Sequence, residues 1–266
     1  MQEDIRPIIK NWPFKFDTVS VRKITGEDGS TKIQMRIDMG LLQMELTGRP
    51  DGQRPEGFES LLEYYKNKLQ AYRQTYNTEI GFELTPNDCR KLREEAIMYY
   101  HRYLACFILE EYQQVISDTE RNLQVFDFCS KFAARKTDRI ILEQYRPYVI
   151  MMNTRAKAML ARKSGKYILA LKHIKTGLKE IKKLYEDSDL AEDFSYAPEA
   201  KILKQLARRI KKNLPADPLK ILNRKLRFAI QNQRYEEAAL LNKEIQNIKQ
   251  LRFEKRKRRN KKQPGT

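Results

Sequence analysis

The chain has 266 residues, 41% of them hydrophobic and 33% charged, which suffices for one or two domains with a real core. Cys89, Cys106 and Cys129 are too widely spaced for a CxxC pair or a disulfide framework, the opening MQEDIRPIIKNW lacks the apolar run of a signal peptide, and no stretch reaches bilayer-spanning length. The net charge of +18 is concentrated: residues 201–266 hold 21 Lys/Arg against 5 Asp/Glu, while residues 1–200 hold 32 against 30.

Residues 12–47 read as strands. Val19 and Val21 alternate with polar neighbours, and Glu27-Asp28-Gly29-Ser30 is a turn signal. Ile33, Met35, Ile37 and Met39 alternate with Gln34, Arg36 and Asp38, the period of a strand with one buried face. Gly40 breaks the run, and Leu42, Met44 and Leu46 resume it. The spacing predicts a small antiparallel meander, followed by a Gly/Pro loop over 48–57, GRPDGQRPEG.

From Phe58 the period becomes helical: Phe58, Leu61, Leu62, Tyr65 and Leu69 form one apolar stripe. Thr85-Pro86-Asn87-Asp88 starts a second helix reaching about Leu109, with Leu92, Ala96, Tyr99, Tyr103 and Phe107 on one side. Further helices are predicted from about Tyr112 to Arg135, then, beyond a segment capped by Asp138 and interrupted by Pro147, to about Lys163. Ser164-Gly165 ends that helix, and another runs from Tyr167 to about Tyr185. The acidic stretch 186–193 reads as a linker, and Pro198 opens a helix to about Lys212. Leu214-Pro215-Ala216-Asp217-Pro218 marks the clearest boundary, with two prolines to stop one helix and Asp217 to cap the next. Two short helices follow, and LRFEKRKRRNKKQPGT is too charged to bury a core, so disorder is expected beyond about Arg256.

Motifs for enzyme chemistry are missing. No GxxxxGK[ST] loop and no GxGxxG after a strand occurs, and His101 and His173 stand apart without zinc-ligand spacing. No cofactor or metal is expected. Arg49, Asp51, Arg54 and Glu56 in the 48–57 loop, with Asp38 and Glu45 before it, form a charged cluster that can hold a small anion; loop caps and solvated pairs are the plainer reading. The basic tail residues Arg252, Lys255, Arg256, Lys257, Arg258, Arg259, Lys261 and Lys262 suit sequence-independent phosphate contacts, an acidic protein, or mere solubility. Phe253 alone is interleaved as a stacking residue.

Two segments resemble known families. Residues 154–178, TRAKAMLARKSGKYILALKHIKTGL, resemble a tetratricopeptide repeat: Ala158 allows close helix approach, Gly165 and Tyr167 form the turn and its plug, and Ala170 and Gly177 supply small contacts. An upstream pair from about Tyr99 to Asn122 has the same shape, with Tyr112 after the turn and Tyr103 where that family has a small residue. Residues 219–251, LKILNRKLRFAIQNQRYEEAALLNKEIQNIKQL, resemble the UVR motif shared by bacterial excision-repair nuclease subunits and by some protease-associated adaptors. Leu222, Leu226, Ala229, Tyr235, Glu236, Ala238, Ala239, Leu241, Glu244 and Ile245 carry that resemblance; Asn242 and Lys243 replace the usual Arg-Asp. Residues 36–65 are also similar to bacterial proteins with a C-terminal UVR motif.

The expected architecture is mainly α. It has a small β region (1–57) packed on a helical, tetratricopeptide-like domain (58–213), a UVR-like hairpin (214–251) and a disordered basic tail (252–266). Two amphipathic helices of about four turns bury little surface by themselves. The resemblance therefore implies a non-enzymatic adaptor whose hairpin docks on a second copy, on another such hairpin or on its own helical body, and a cytoplasmic location is expected from the lack of a signal or spanning segment. The alternative is nonspecific DNA or RNA binding linked to excision repair through the tail, and no membrane partner is expected.

Overall fold

The computed structural model describes residues 4–187, 194, 196–214 and 218–260, with residues 218, 220, 251, 252 and 255–260 described by backbone alone. It is mainly helical and divides into two compact units, Met1–Lys212 and Asn213–Thr266.

The first unit opens with one helical turn, α1 (Arg6–Ile9), then a three-stranded antiparallel meander: β1 (Val21–Thr25), β2 (Thr31–Ile37) and β3 (Gly40–Glu45) in the order β1-β2-β3. The β1–β2 turn forms because Asp28 Oδ1 accepts from both Ser30 N and Ser30 Oγ. Register pairs Ile33 with Met44 and Met35 with Leu42, so one face buries these side chains. The expected alternation departs at two places. Gln34 and Arg36, read as solvent-facing, are buried, because the N-terminal segment covers the second face. Arg36 Nε donates to the Trp12 carbonyl (2.9 Å), Arg22 lies 4.3 Å over the Trp12 indole, and Gln34 bridges Arg22 to Gln43. Met39, read as a strand residue, sits in the two-residue turn between paired Ile37 and Gly40 and is exposed.

Helix α2 (Leu61–Tyr76) begins three residues later than the apolar stripe suggests, because the Ser60 hydroxyl caps it by accepting from Glu63 N. Helix α3 (Pro86–Ile108) starts at a reciprocal capping box: Thr85 Oγ1 accepts from Asp88 N, and Asp88 accepts from Thr85 N. Tyr65 adds a 2.6 Å bond to the same carboxylate. Burial alone would raise the Asp88 pKa; the Tyr65 and Thr85 hydrogen bonds outweigh it and leave the carboxyl below its ordinary value.

Helix α4 (Tyr112–Phe132) stops short of Arg135 because Ala133 turns extended and pairs with Leu84. Asp138, expected as a cap, lies inside the short α5 (Lys136–Ile140) and instead receives Arg93 at 2.6 Å. A 3-10 turn (Glu143–Tyr145) then leads into α6 (Arg146–Lys163), which has Pro147 in its first turn. α7 (Tyr167–Asp187) and α8 (Pro198–Lys212) complete the unit. α7 covers the first two positions of the expected linker; 188–193 lie outside the described residues. Helices pack in chain order, α3 on α4, α4 on α6, α6 on α7 and α7 on α8, while α6 also meets α8. One core joins the sheet to α3, α4, α6, α7 and α8 through Ile33, Met44, Tyr103, Val115, Met151 and Ile174. A second, around Leu62, Leu92, Phe126 and Phe132, holds α2 on α3 and α4.

The second unit is a hairpin of α9 (Pro218–Gln231) and α10 (Tyr235–Asn260). α10 carries helical backbone through Asn260, into the segment expected as a disordered tail, and residues 261–266 lie outside the described residues. The physical reason is composition, since residues 235–260 contain neither Gly nor Pro and are rich in Lys, Arg, Glu and Leu.

Candidate functional site

The hairpin carries most of the residues singled out by sequence. Leu222, Ala229, Ala238 and Ile245 are buried, Leu226 and Leu241 are half-buried, and Tyr235, Glu236, Ala239 and Glu244 are exposed. The stripe that seemed free to dock is therefore largely consumed by the hairpin itself. What remains open is a different set: Ile221, Phe228 and Ile230 on α9, and Tyr235 and Leu240 on α10. Ile221 and Phe228 are seven residues apart and so share one flank of α9.

Among the described residues the turn of this hairpin occurs three times. Glu110 (φ 60°), Gly165 (φ 68°) and Gln233 (φ 54°) each adopt the left-handed conformation after a helix. The following amide donates back to a buried small residue: Glu111 N to Cys106 O (2.9 Å), Lys166 N to Ala161 O (2.8 Å) and Arg234 N to Ala229 O (2.8 Å). A tyrosine comes next each time, Tyr112, Tyr167 and Tyr235. Three residues further on, Val115, Ala170 and Ala238 are all buried. Only Gly165 announces this turn by residue type, which is why sequence patterning separates the three hairpins. Tyr112 is buried and Tyr167 half-buried, whereas Tyr235 is 68% exposed.

The basic residues Arg252, Lys255, Arg256, Lys257, Arg258 and Arg259 lie on the helical backbone of α10, their side chains outside the description; Lys261 and Lys262 lie outside the described residues.

The loop 48–57 is not an open charged cluster. Arg49 reaches inward: its Nε lies 3.2 Å from Glu95 Oε1, off the line of a hydrogen bond, and its Nη2 lies 3.3 Å from Asp51. Glu95 is fully buried on α3; it also accepts from Leu61 N (2.9 Å) and from Arg121 Nη2. Burial and the neighbouring Arg49 pull Arg121 down to about 9, so it is still cationic at neutral pH, and it stacks 4.0 Å over Tyr99. Beside it, Arg102 makes a two-pronged contact with Asp118 (2.9 and 2.7 Å) and donates to the Glu45 carbonyl (3.1 Å). Burial pushes the Asp118 carboxyl above its ordinary value despite that pairing. Arg54, Glu56 and Asp38 are exposed, and Glu45 is paired with Lys32. The pairs of Arg49 with Glu95 and Asp51, of Arg121 with Glu95 and of Arg102 with Asp118 tie loop and helices together.

A cavity of about 770 Å³ lies elsewhere in the first unit, and sequence reasoning did not foresee it. Its walls come from α3 (Tyr100, His101, Tyr103), α4 (Asn122, Phe126), the segment before α6 (Ile141, Tyr145), α6 (Tyr148) and the start of α8 (Glu199). Tyr100 stands at its aromatic centre, 5.5 Å from Tyr103, 6.3 Å from Tyr148 and 5.4 Å from His101 by ring centroids. Burial lowers the pKa of His101, and His173 on α7, outside this cavity, is lowered for the same reason. The tyrosine spacing on α3 was legible as a core stripe; nothing in it points to Glu199, about a hundred residues downstream. Among the described residues no cluster of His, Cys, Asp or Glu is arranged to hold a metal ion, and no helix is long and apolar enough to cross a membrane. Comparison with protein-family models, with curated proteins and with solved structures gives no match to this chain.

Proposed function

We propose that the chain is a non-enzymatic adaptor that binds a protein, or a second copy of itself, through the C-terminal hairpin. One observation carries this reading. The hairpin repeats the turn geometry of the α3–α4 and α6–α7 pairs, yet its Tyr235, Leu240, Phe228 and Ile221 are exposed. Large apolar side chains left open on a small helical hairpin favour a protein partner. The resemblance of residues 219–251 to the UVR motif supports the same reading, and the shared turn supports a tetratricopeptide-like scaffold for the body.

The test uses the full chain. Phe228→Asp and Leu240→Asp alter exposed positions and spare the buried stripe, so the hairpin stays folded. Light scattering and cross-linking with mass spectrometry should show self-association or a discrete protein partner, reduced at least about tenfold in affinity by either substitution. Unchanged association in both variants refutes the reading, as does a wild-type chain that stays monomeric and cross-links to no protein.

A second reading, nonspecific nucleic-acid binding, is favoured by the helical run that carries six Lys/Arg between 252 and 259. If six phosphates are neutralised, log K should fall with log salt at a slope of about −5 on duplex DNA. Deleting 252–266 should abolish retention, and a chain that ignores DNA at low salt refutes this reading.

A further inference from the structure

The cavity has a charge balance that selects its ligand. Arg90 donates to Glu94 (2.7 Å) and Asn87 (2.8 Å), and Arg93 donates to Asp138 (2.6 Å), so both guanidinium groups beside the cavity are already engaged. Glu199 differs: its Oε2 is buried without a hydrogen-bond partner, and no ion pair among the described residues includes it. Its place in the first turn of α8 lets its charge complement the helix amides but gives that oxygen no donor. The same cavity is lined by Tyr100 and Tyr148, which are at least partly exposed, and by Tyr103, which is buried. An aromatic face carries negative electrostatic potential, and a carboxylate beside several such faces favours a weakly hydrated positive group. Neutral His101 adds a ring without a competing charge.

We infer that this cavity is a binding site for a small organic cation, an alkylated or aryl ammonium, seated against Tyr100 and Tyr148 with Glu199 as its counter-ion. The volume of about 770 Å³ lies within the range of roughly 300–1,000 Å³ typical of small-molecule sites. Exposed Ile97, Ile141 and Tyr145 rim the mouth and leave a path for entry. An anionic ligand is disfavoured, because it would meet Glu199 while both arginines are held by carboxylates. The site is independent of the hairpin and of the function proposed for it.

The experiment is calorimetric titration of the full chain with choline, phenyltrimethylammonium and spermidine. The neutral isostere of choline, 3,3-dimethylbutan-1-ol, and the anion benzoate serve as controls. At least one cation should bind, at least about tenfold tighter than either control. Glu199→Gln should weaken that cation about tenfold and leave the neutral isostere unchanged, with the circular dichroism melt confirming the fold. If Glu199→Gln does not fold, Tyr100→Leu at the half-exposed central ring replaces it, with the same loss expected. The inference is overturned if no cation binds at about 10 mM, a range where even weak millimolar sites are seen. It is equally overturned if the isostere or benzoate matches the cations, or if the folded variant binds them as before.

Discussion

Replacing Gly177 by alanine isolates one close contact between α6 and α7. A Cβ at this position in α7 would overlap Thr154 Oγ1 on α6 and come within 2.7 Å of Thr154 Cγ2 and 2.8 Å of Thr154 Cβ. Carbon atoms prefer about 3.5–4.0 Å, so the helices must separate by about 0.7 Å even if Thr154 rotates, because its Cβ is fixed to the backbone. Overpacking of this kind costs about 1–3 kcal/mol, against a gain of about 1 kcal/mol for alanine over glycine inside a helix. Gly177→Ala should therefore lose up to about 2 kcal/mol, read as a drop in Tm of roughly 4–8 °C at 2–4 °C per kcal/mol. Thr154→Ala removes the overlapping hydroxyl and methyl but keeps its own Cβ. The double variant should therefore recover part of the loss, with a coupling energy of at least about 0.5 kcal/mol in a thermal or urea double-mutant cycle. A Gly177→Ala chain more stable than wild type, or strict additivity in the cycle, would show that the two helices do not meet through this glycine.

The other expectations are simpler. Glu95→Ala should destabilise by roughly 3–5 kcal/mol in urea unfolding, because Arg121 would lose its carboxylate partner and Arg49 would keep only Asp51; a loss under about 1 kcal/mol would mean that neither arginine depends on Glu95. Gln233→Gly and Glu110→Gly relieve side chains in the left-handed region and should each stabilise by about 0.5–1 kcal/mol, a sign opposite to that of glycine inside a helix. Cys89, Cys106 and Cys129 are all buried, and burial lifts the Cys106 thiol to about 12, so Ellman titration of the native chain should find almost no reactive thiol until denaturant is added. Asp28 is held from its ordinary 3.8 down to about 2, mainly by Lys32 and then by Ser30. A carboxylate depressed in the folded state adds stability above its unfolded value and loses it as pH falls toward the folded one. Asp28→Asn should therefore flatten the acid limb of the urea midpoint between about pH 4 and pH 2; an unchanged limb would assign acid sensitivity to other groups.

What sequence could reveal was local chemistry. The Asp28 turn, the alternation of Ile33 with Met35, the Thr85–Asp88 box and Pro198 each act within a few residues, and the structure contains each element that they predict. Burial was less legible, because it depends on what else arrives. Gln34 and Arg36 have the polarity of an open face and are covered by a segment more than twenty residues earlier. Glu95 sits in a charged run, Arg93-Glu94-Glu95, that reads as a solvated face, yet it gathers a loop arginine and one from α4. The cavity shows the same limit, since Tyr100 and Glu199 come to line one cavity only once α3, α6 and α8 are packed. The hairpin's apolar spacing was legible, but its allocation was not: the strict stripe closes the hairpin, and the scattered residues outside it, Phe228 and Leu240, form the exposed surface.

The length of α10 gives the C-terminal unit a reach that its partner helix does not match. α10 has 26 residues and α9 has 14. At 1.5 Å per residue, α10 overshoots the far end of α9 by about 18 Å. The backbone of residues 252–259 lies in that overhang. If Phe228 and Leu240 dock a partner as proposed, that stretch of helical backbone is separate from the docking flank, because it begins past the far end of α9.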